Sequence, residues 1–375
     1  MRFCVVGPAY PFRGGIAHHT TLLCQHLSEK HEVKAVTFKR LYPAMLFPGK
    51  SQTDPSKSAQ SFPAKSLIDS MNPLTWKSAG NYIKSLKADW VLIQWWQPFF
   101  GPCLASVASK AGSKVAFICH NVLPHESMPL TRMLTIRALK HGDGFIVHSE
   151  QDREDLMGLL PGLPPEAVVK TVHPEYELFP MTGMTKSEAR SRLEIEGKTV
   201  LFFGLVRKYK GLMDLIDAMP LIQDKDLTCL VVGEFYDKGT EYTSRIEELG
   251  LGDRIRIVNQ YVPNEEVEPY FAAADAVVLP YRSATQSGIA QMAFRFGRPV
   301  IATSVGGLPE SIDDGRTGLL VPPRDPLALA QAIDRYFNES LESGFSASIR
   351  ANAGRFSWDR VIEAIESLPT VTCTL

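Results

Sequence analysis

Paired cysteines are missing from this chain of 375 residues. Its six cysteines, at 4, 24, 103, 119, 229 and 373, form no C-x-x-C pair, and most sit inside apolar runs such as "FCVV", "FICH" and "TCLVV". That pattern favours buried free thiols over disulfides or a zinc site. A reducing, cytoplasmic compartment is therefore expected. Net charge is missing too: 40 Lys and Arg meet 41 Asp and Glu, a balance of −1, which argues against a general nucleic-acid binder. No apolar run approaches the roughly 18 residues that span a bilayer. The start, "MRFCVVGPAYPF", lacks the long apolar core of a secretion signal. No G-x-G-x-x-G spacing follows the first strand-like run, which weakens a nicotinamide or flavin reading. The last absence is local: residues 279–299, "LPYRSATQSGIAQMAFRFGRP", contain no acid.

What is present is an ordinary globular composition, 45% apolar and 22% charged, in a length that suits two domains. Strand-like and helix-like runs alternate throughout, the pattern of parallel sheets covered on both faces. Strands are expected at "RFCVV", "VKAVTF", "WVLIQ", "KVAFI", "GFIVH" and "VVKTV", then at "TVLFF", "LTCLVV", "RIRIV", "AVVLP", "PVIAT" and "GLLV". Helical runs such as "IAHHTTLLCQHL" and "DPLALAQAIDRYF" separate them. The strand rhythm pauses near "PEYELFPMTGMTKSEARSRLEIEGK", which sets the seam. The expected division is 1–178, 179–355 and a tail helix, "FSWDRVIEAIESL", within 356–375. Doubly wound domains bind ligands beyond the carboxyl ends of their strands, and each stretch considered next follows such an end.

In "GPAYPFRGGIAHH", Gly14 and Gly15 open a helix; their N–H groups either face a phosphate or sugar, or only make a tight turn. In "FFGLVRKYKGLMDL", Arg207, Lys208 and Lys210 precede a helix starting near Gly211, where positive charge opposes the helix dipole. A bound diphosphate would relieve that; a solvated basic turn is the alternative. In "ICHNVLPHES", His120 and His125 follow a strand as ligand contacts, proton shuttles or structural partners. No cluster with ligand spacing stands nearby, so no metal is expected. Trp95 and Trp96 in "VLIQWWQPFFGP" lie beyond a strand end, as core or as a sugar or lipid face.

Residues 39–88 read as a long, weakly patterned stretch, with a basic and apolar insertion at about 39–80. Eight basic side chains face Asp54 and Asp69 there, with apolar "AMLF" among them. That mix suits contact with anionic lipid at the inner face of a membrane, or a solvated loop. In the acid-free stretch, Ile289, Met292, Ala293 and Phe296 fall at helical spacing, and Gly297 and Pro299 end the helix. Ser283, Thr285, Gln286, Ser287 and Gly288 then stand as an anion cradle at its N-terminus.

Taken together, these stretches resemble the family 4 glycosyltransferases, which have the GT-B fold. The resemblance is carried by "FFGLVRKYKGLMDLIDAM", "LVVGEFY", "VPNEEVEPYFAAADAVVLPY" and "SGIAQMAFRFGRPVIATSVGGLPESIDDGRTGLLVPP". "PAYPFRGGIAHHTTLL", "WWQPFFGP" and "HNVLPHE" resemble a bacterial subgroup. It implies two Rossmann-like domains facing a central cleft, with the tail helix crossing back to the first. It also implies a retaining transfer of a sugar from a nucleotide diphosphate sugar to a saccharide or lipid-linked acceptor, with no metal or organic cofactor. By position, Lys210 and Arg207 bind the diphosphate. Gly15 contributes an N–H group, His120 contacts the transferred sugar, and backbone near Val262 touches the base. Trp95, Trp96 and His125 are the acceptor candidates.

The family has an Arg where this chain has Leu205, and two Glu where it has Ser283 and Gln291. Gln291 can still hydrogen-bond a ribose; Ser283 cannot act as a base. Transfer in which the leaving phosphate takes the acceptor proton survives that loss, with Arg207, Lys210 and the N–H groups at Gly288 and Ile289 stabilising charge. Two rivals stand beside it. A nucleotide-sugar epimerase needs acid–base carboxylates that the cleft residues hardly offer. An inactive, nucleotide-binding partner subunit fits the missing glutamates but not the retained basic loop.

Overall fold

Apolar runs of Val, Ile, Leu and Phe, too short for helices and broken by glycine or charge, become fully buried parallel strands. The computed structural model describes residues 1–43, 51–57, 61–124, 129–236 and 238–369. They divide into two units. Unit 1 holds Met1–Asp54, Ala59–Pro174 and Ser357–Leu375; unit 2 holds Pro55–Ser58 and Glu175–Phe356.

In unit 1 the strands are β1 (Arg2–Val6), β2 (Glu32–Arg40), β3 (Ala64–Asp69), β4 (Trp90–Trp95), β5 (Lys114–Cys119), β6 (Gly144–Val147) and β7 (Val168–Lys170). They form one sheet in the order β3-β2-β1-β4-β5-β6-β7, all parallel. The helices before the first crossing are α1 (Gly15–Ser28), α2 (Pro73–Ser85), α3 (Gly101–Ala108), α4 (Thr131–Leu139) and α5 (Glu150–Leu159).

Unit 2 contains α6 (Lys186–Leu193), β8 (Thr199–Phe203), α7 (Leu212–Ala218), β9 (Thr228–Val232), α8 (Thr240–Glu248), β10 (Ile255–Val258), α9 (Glu268–Ala273), β11 (Ala276–Leu279) and α10 (Gly288–Arg295). It continues with β12 (Val300–Thr303), α11 (Leu308–Ser311), β13 (Gly318–Val321), α12 (Pro326–Asn338) and α13 (Glu342–Ala351). Its sheet runs β10-β9-β8-β11-β12-β13, again all parallel. Both sheets wind outward in two directions from a central pair, β1 and β4 in one, β8 and β11 in the other. Each thus has the switch point at which open α/β sheets take their ligands.

The last helix, α14 (Trp358–Glu366), belongs to unit 1. Trp358, Val361, Ile362 and Ile365 lie on one face at helical spacing and are buried. The Trp358 ring stacks on His26 at 5.3 Å and stands 5.0 Å from His19, both on α1.

The expected insertion is more regular than its sequence suggests. β3 and α2 both fall inside 39–88, and β3 pairs with β2. β3 was hidden because it is an edge strand: of "AKSLID" only Ile68 is fully buried. The helix hid because its buried face is small, Ala79, Gly80 and Ile83. The apolar "AMLF" lies outside the described residues. The seam also holds a helix, α6, which buries only Ala189 but carries a complete capping box between Thr185 and Glu188.

Candidate functional site

In unit 2, three segments meet beyond the carboxyl ends of β8 and β11. Gly204 leaves β8 with φ of 98°, held by its N–H donating to Val232 O at 2.8 Å. Where a side chain on Gly204 would begin, Ile289 Cδ1 stands 3.1 Å away and Lys210 Nζ 3.3 Å away. The basic turn, a short 3-10 stretch at Lys208–Lys210, ends at Gly211 with φ of 70°. A Cβ at Gly211 would lie 1.8 Å from Pro280 O, so only glycine lets the turn press against the residue after β11. Arg282 N donates to Tyr209 O at 2.7 Å, and the Arg282 guanidinium grips both oxygens of Asp214 at 2.8 and 2.6 Å. An acid does approach the acid-free stretch, but it comes from α7 and is spent on that arginine.

Among the described residues no carboxylate lies within ion-pair reach of Lys210. Burial, and then the Arg207 charge, lower its ammonium from the ordinary 10.5 to about 8. The Arg207 guanidinium lies over the Tyr236 ring at 4.2 Å and near Tyr209 at 5.6 Å, so aromatic faces hold it in place. Ser287 caps α10, its Oγ accepting from Ala290 N at 3.3 Å. The amides of Gly288 and Ile289 are the first two of that helix, positions with no intrahelical acceptor. Thr285 and Ser287 are buried, while Ser283 and Gln286 are half-buried. Gly306 holds the cradle closed from outside, since a Cβ there would stand 1.5 Å from Ala284 O.

Gln291 is one turn into α10 and only 1% exposed, yet neither of its side-chain polar atoms has a hydrogen-bond partner among the described residues. It lines a cavity of about 340 Å³ with Phe294, Arg295, Asp313 and Arg355. Arg207, Lys210 and Thr285–Ile289 do not line that cavity. Val262 is buried in the loop after β10. Its neighbour Asn264, which the sequence did not single out, is 1% exposed with both amide atoms unpartnered among the described residues.

Unit 1 corrects several expectations. Trp95 is the last residue of β4 rather than beyond it; it is fully buried, and its indole N–H points to Val122 O at 3.4 Å, so it is core. Trp96 is half-buried, packs on Phe100 at 4.3 Å and donates to Tyr42 Oη at 3.2 Å. Gly14, with φ of 104°, precedes α1, and Gly15 is exposed at its first position. His125 lies outside the described residues. His120 is 1% exposed, its Nε2 2.5 Å from Gln94 Oε1.

The absence of metal-ligand spacing near His120 does not survive folding. Ligand atoms of His19, His120 and His148 all lie within 4.8 Å of one another, and the His173 ring is 5.3 Å from that of His148. Part of the signal was in the sequence: in "FICH" and "FIVH" a histidine directly follows a strand end, and in "KTVH" one stands three residues beyond the end of β7.

Comparison with known proteins agrees with this architecture. The Glycosyltransferase Family 4 model matches residues 13–173, and the Glycosyl transferases group 1 model matches 197–339. D-inositol 3-phosphate glycosyltransferase 1 of Catenulispora acidiphila is 30% identical over 60% of this chain and 56% of its own length. The enzyme of that name from Corynebacterium glutamicum is 28% identical over 77% and 70%. The chain therefore matches little more than half of the first of these relatives. Sucrose-phosphate synthase from Thermosynechococcus elongatus has the same fold, with a TM-score of 0.75 and 20% identity over 98% of each chain. So has Anabaena HepE, solved with UDP, with a TM-score of 0.76 and 17% identity over 98% of this chain and all of that one. One glycosyltransferase family model thus falls on each half of the chain, and the two parallel α/β units have the GT-B fold of these neighbours.

Proposed function

We propose that the protein moves a sugar from a nucleoside diphosphate sugar to an acceptor hydroxyl, with retention and without a catalytic metal, in making a bacterial cell-surface saccharide or glycolipid. Unit 2 takes the donor. The observation that carries this reading is the Lys210 ammonium beside Gly204 and the α10 N-terminus, with no carboxylate in ion-pair reach among the described residues. A diphosphate supplies the missing negative charge.

In the transfer, the bond from the anomeric carbon to the diphosphate oxygen breaks. The acceptor oxygen bonds to that carbon on the same face, and its proton passes to the departing phosphate. Lys210, Arg207 and the amides of Gly288 and Ile289 stabilise the charge that develops there. No step requires a base at Ser283. The relatives named as D-inositol 3-phosphate glycosyltransferases, and the UDP bound to Anabaena HepE, put uridine nucleotides and hydroxyl-rich acceptors first in a screen.

The test is a thermal-shift panel with UDP, GDP, ADP and their sugars, followed by turnover on the donor that stabilises most. Lys210→Ala should lose transfer by about 10²-fold or more. Near-normal turnover in that variant would overturn the assignment.

A further inference from the structure

We propose that unit 1 binds one divalent transition-metal ion of the zinc class through His19, His120 and His148, with His173 the nearest donor for a fourth position. The register of the sheet builds the site. Cys119 of β5 pairs with Val147 of β6, so the residues that follow, His120 and His148, leave neighbouring strands side by side. Val147 in turn pairs with Lys170 of β7, three residues before His173. Helix α1 brings His19 across them, its ring 4.5 Å from His120 and 5.9 Å from His148. Nitrogens 2.0–2.1 Å from a tetrahedral zinc stand about 3.3 Å apart. The three donors, already within 4.8 Å, reach that by modest rotation of their rings.

Unpartnered nitrogens point the same way independently. His19 is 1% exposed and His148 6%, yet both ring nitrogens of His19 and Nε2 of His148 have no hydrogen-bond partner among the described residues. His148 donates from Nδ1 to Val172 O at 3.2 Å, which leaves the Nε2 lone pair facing the cluster. Gln94 Oε1 accepts from His120 Nε2, which makes Nδ1 the ligand. Such outer partners orient metal-binding imidazoles. A set made only of imidazoles suits zinc, copper or nickel and not magnesium or calcium. The ion would tie α1 to the ends of β5 and β6. It would also employ the His120 ring as a ligand in place of a sugar contact.

The experiment uses the full chain without a polyhistidine tag, stripped by chelator and titrated with Co²⁺ and then Zn²⁺. One equivalent of Co²⁺ should bind with the intense visible absorption of a tetrahedral site; Zn²⁺ should displace it and raise the melting temperature. His19→Phe and His148→Phe should abolish the signal, and Gln94→Leu should weaken binding by about 10–100-fold. A folded wild-type chain that takes up no stoichiometric Co²⁺, or a His19→Phe variant that binds it unchanged, overturns the proposal; the first needs no variant to fold. The nucleotide-induced thermal shift is read alongside, so failure of one reading is distinguishable from failure of the other.

Discussion

Lys210 gives the molecule a pH response that can be signed. Its ammonium loses a proton near 8, so a diphosphate meets a positive charge below that value and a neutral amine above it. Nucleotide affinity should fall as pH rises through 8, as calorimetric titration on both sides will show, and an unchanged affinity would contradict the role. The stability effect runs the other way. Between about 8 and 10.5 the unfolded chain still holds a proton that the folded chain has released, so ligand-free stability gains from this group as pH rises through that window. Lys210→Met should remove both effects. Gln291 carries a second residue-level prediction. Glutamate there places a carboxyl among buried, unpartnered surroundings, so the ligand-free melting temperature should drop. If the side chain reaches ribose, Gln291→Glu keeps or improves nucleotide affinity; a large loss would show that the cavity beside Phe294, not the donor, claims it.

At the scale of elements, close backbone contacts fix the donor cradle. Gly211→Ala forces a Cβ into the Pro280 carbonyl at a positive φ and should cost at least about 2 kcal/mol in chemical denaturation. Every strand with a fully apolar core was legible as a run, and so were the cradle and the basic turn, because backbone demand for Gly and Ser leaves letters in the sequence. β3 was not, since an edge strand buries one face weakly. α2 and α6 escaped because their stability comes from caps and a few small buried residues rather than from an apolar stripe. The histidine group escaped because its members are far apart in the chain; only the order β5-β6-β7 makes neighbours of their strand ends.

On the scale of the whole molecule, two units with separate cores, one cluster in unit 1 and two in unit 2, predict more than one unfolding step, and scanning calorimetry should resolve it. Trp358→Ala, which empties a buried site on α14, should lower the stability of unit 1 by about 3–5 kcal/mol while leaving the nucleotide-induced shift of unit 2 in place. Loss of both together would mean the two cores unfold as one. The placement of α14 also orders the molecule in time. A nascent chain has made all of unit 2 once Phe356 has been added, whereas unit 1, begun at the first residue, lacks Ser357 onward. Unit 1 is therefore completed after unit 2, and until α14 arrives the face of α1 that bears His19 and His26 waits for its tryptophan.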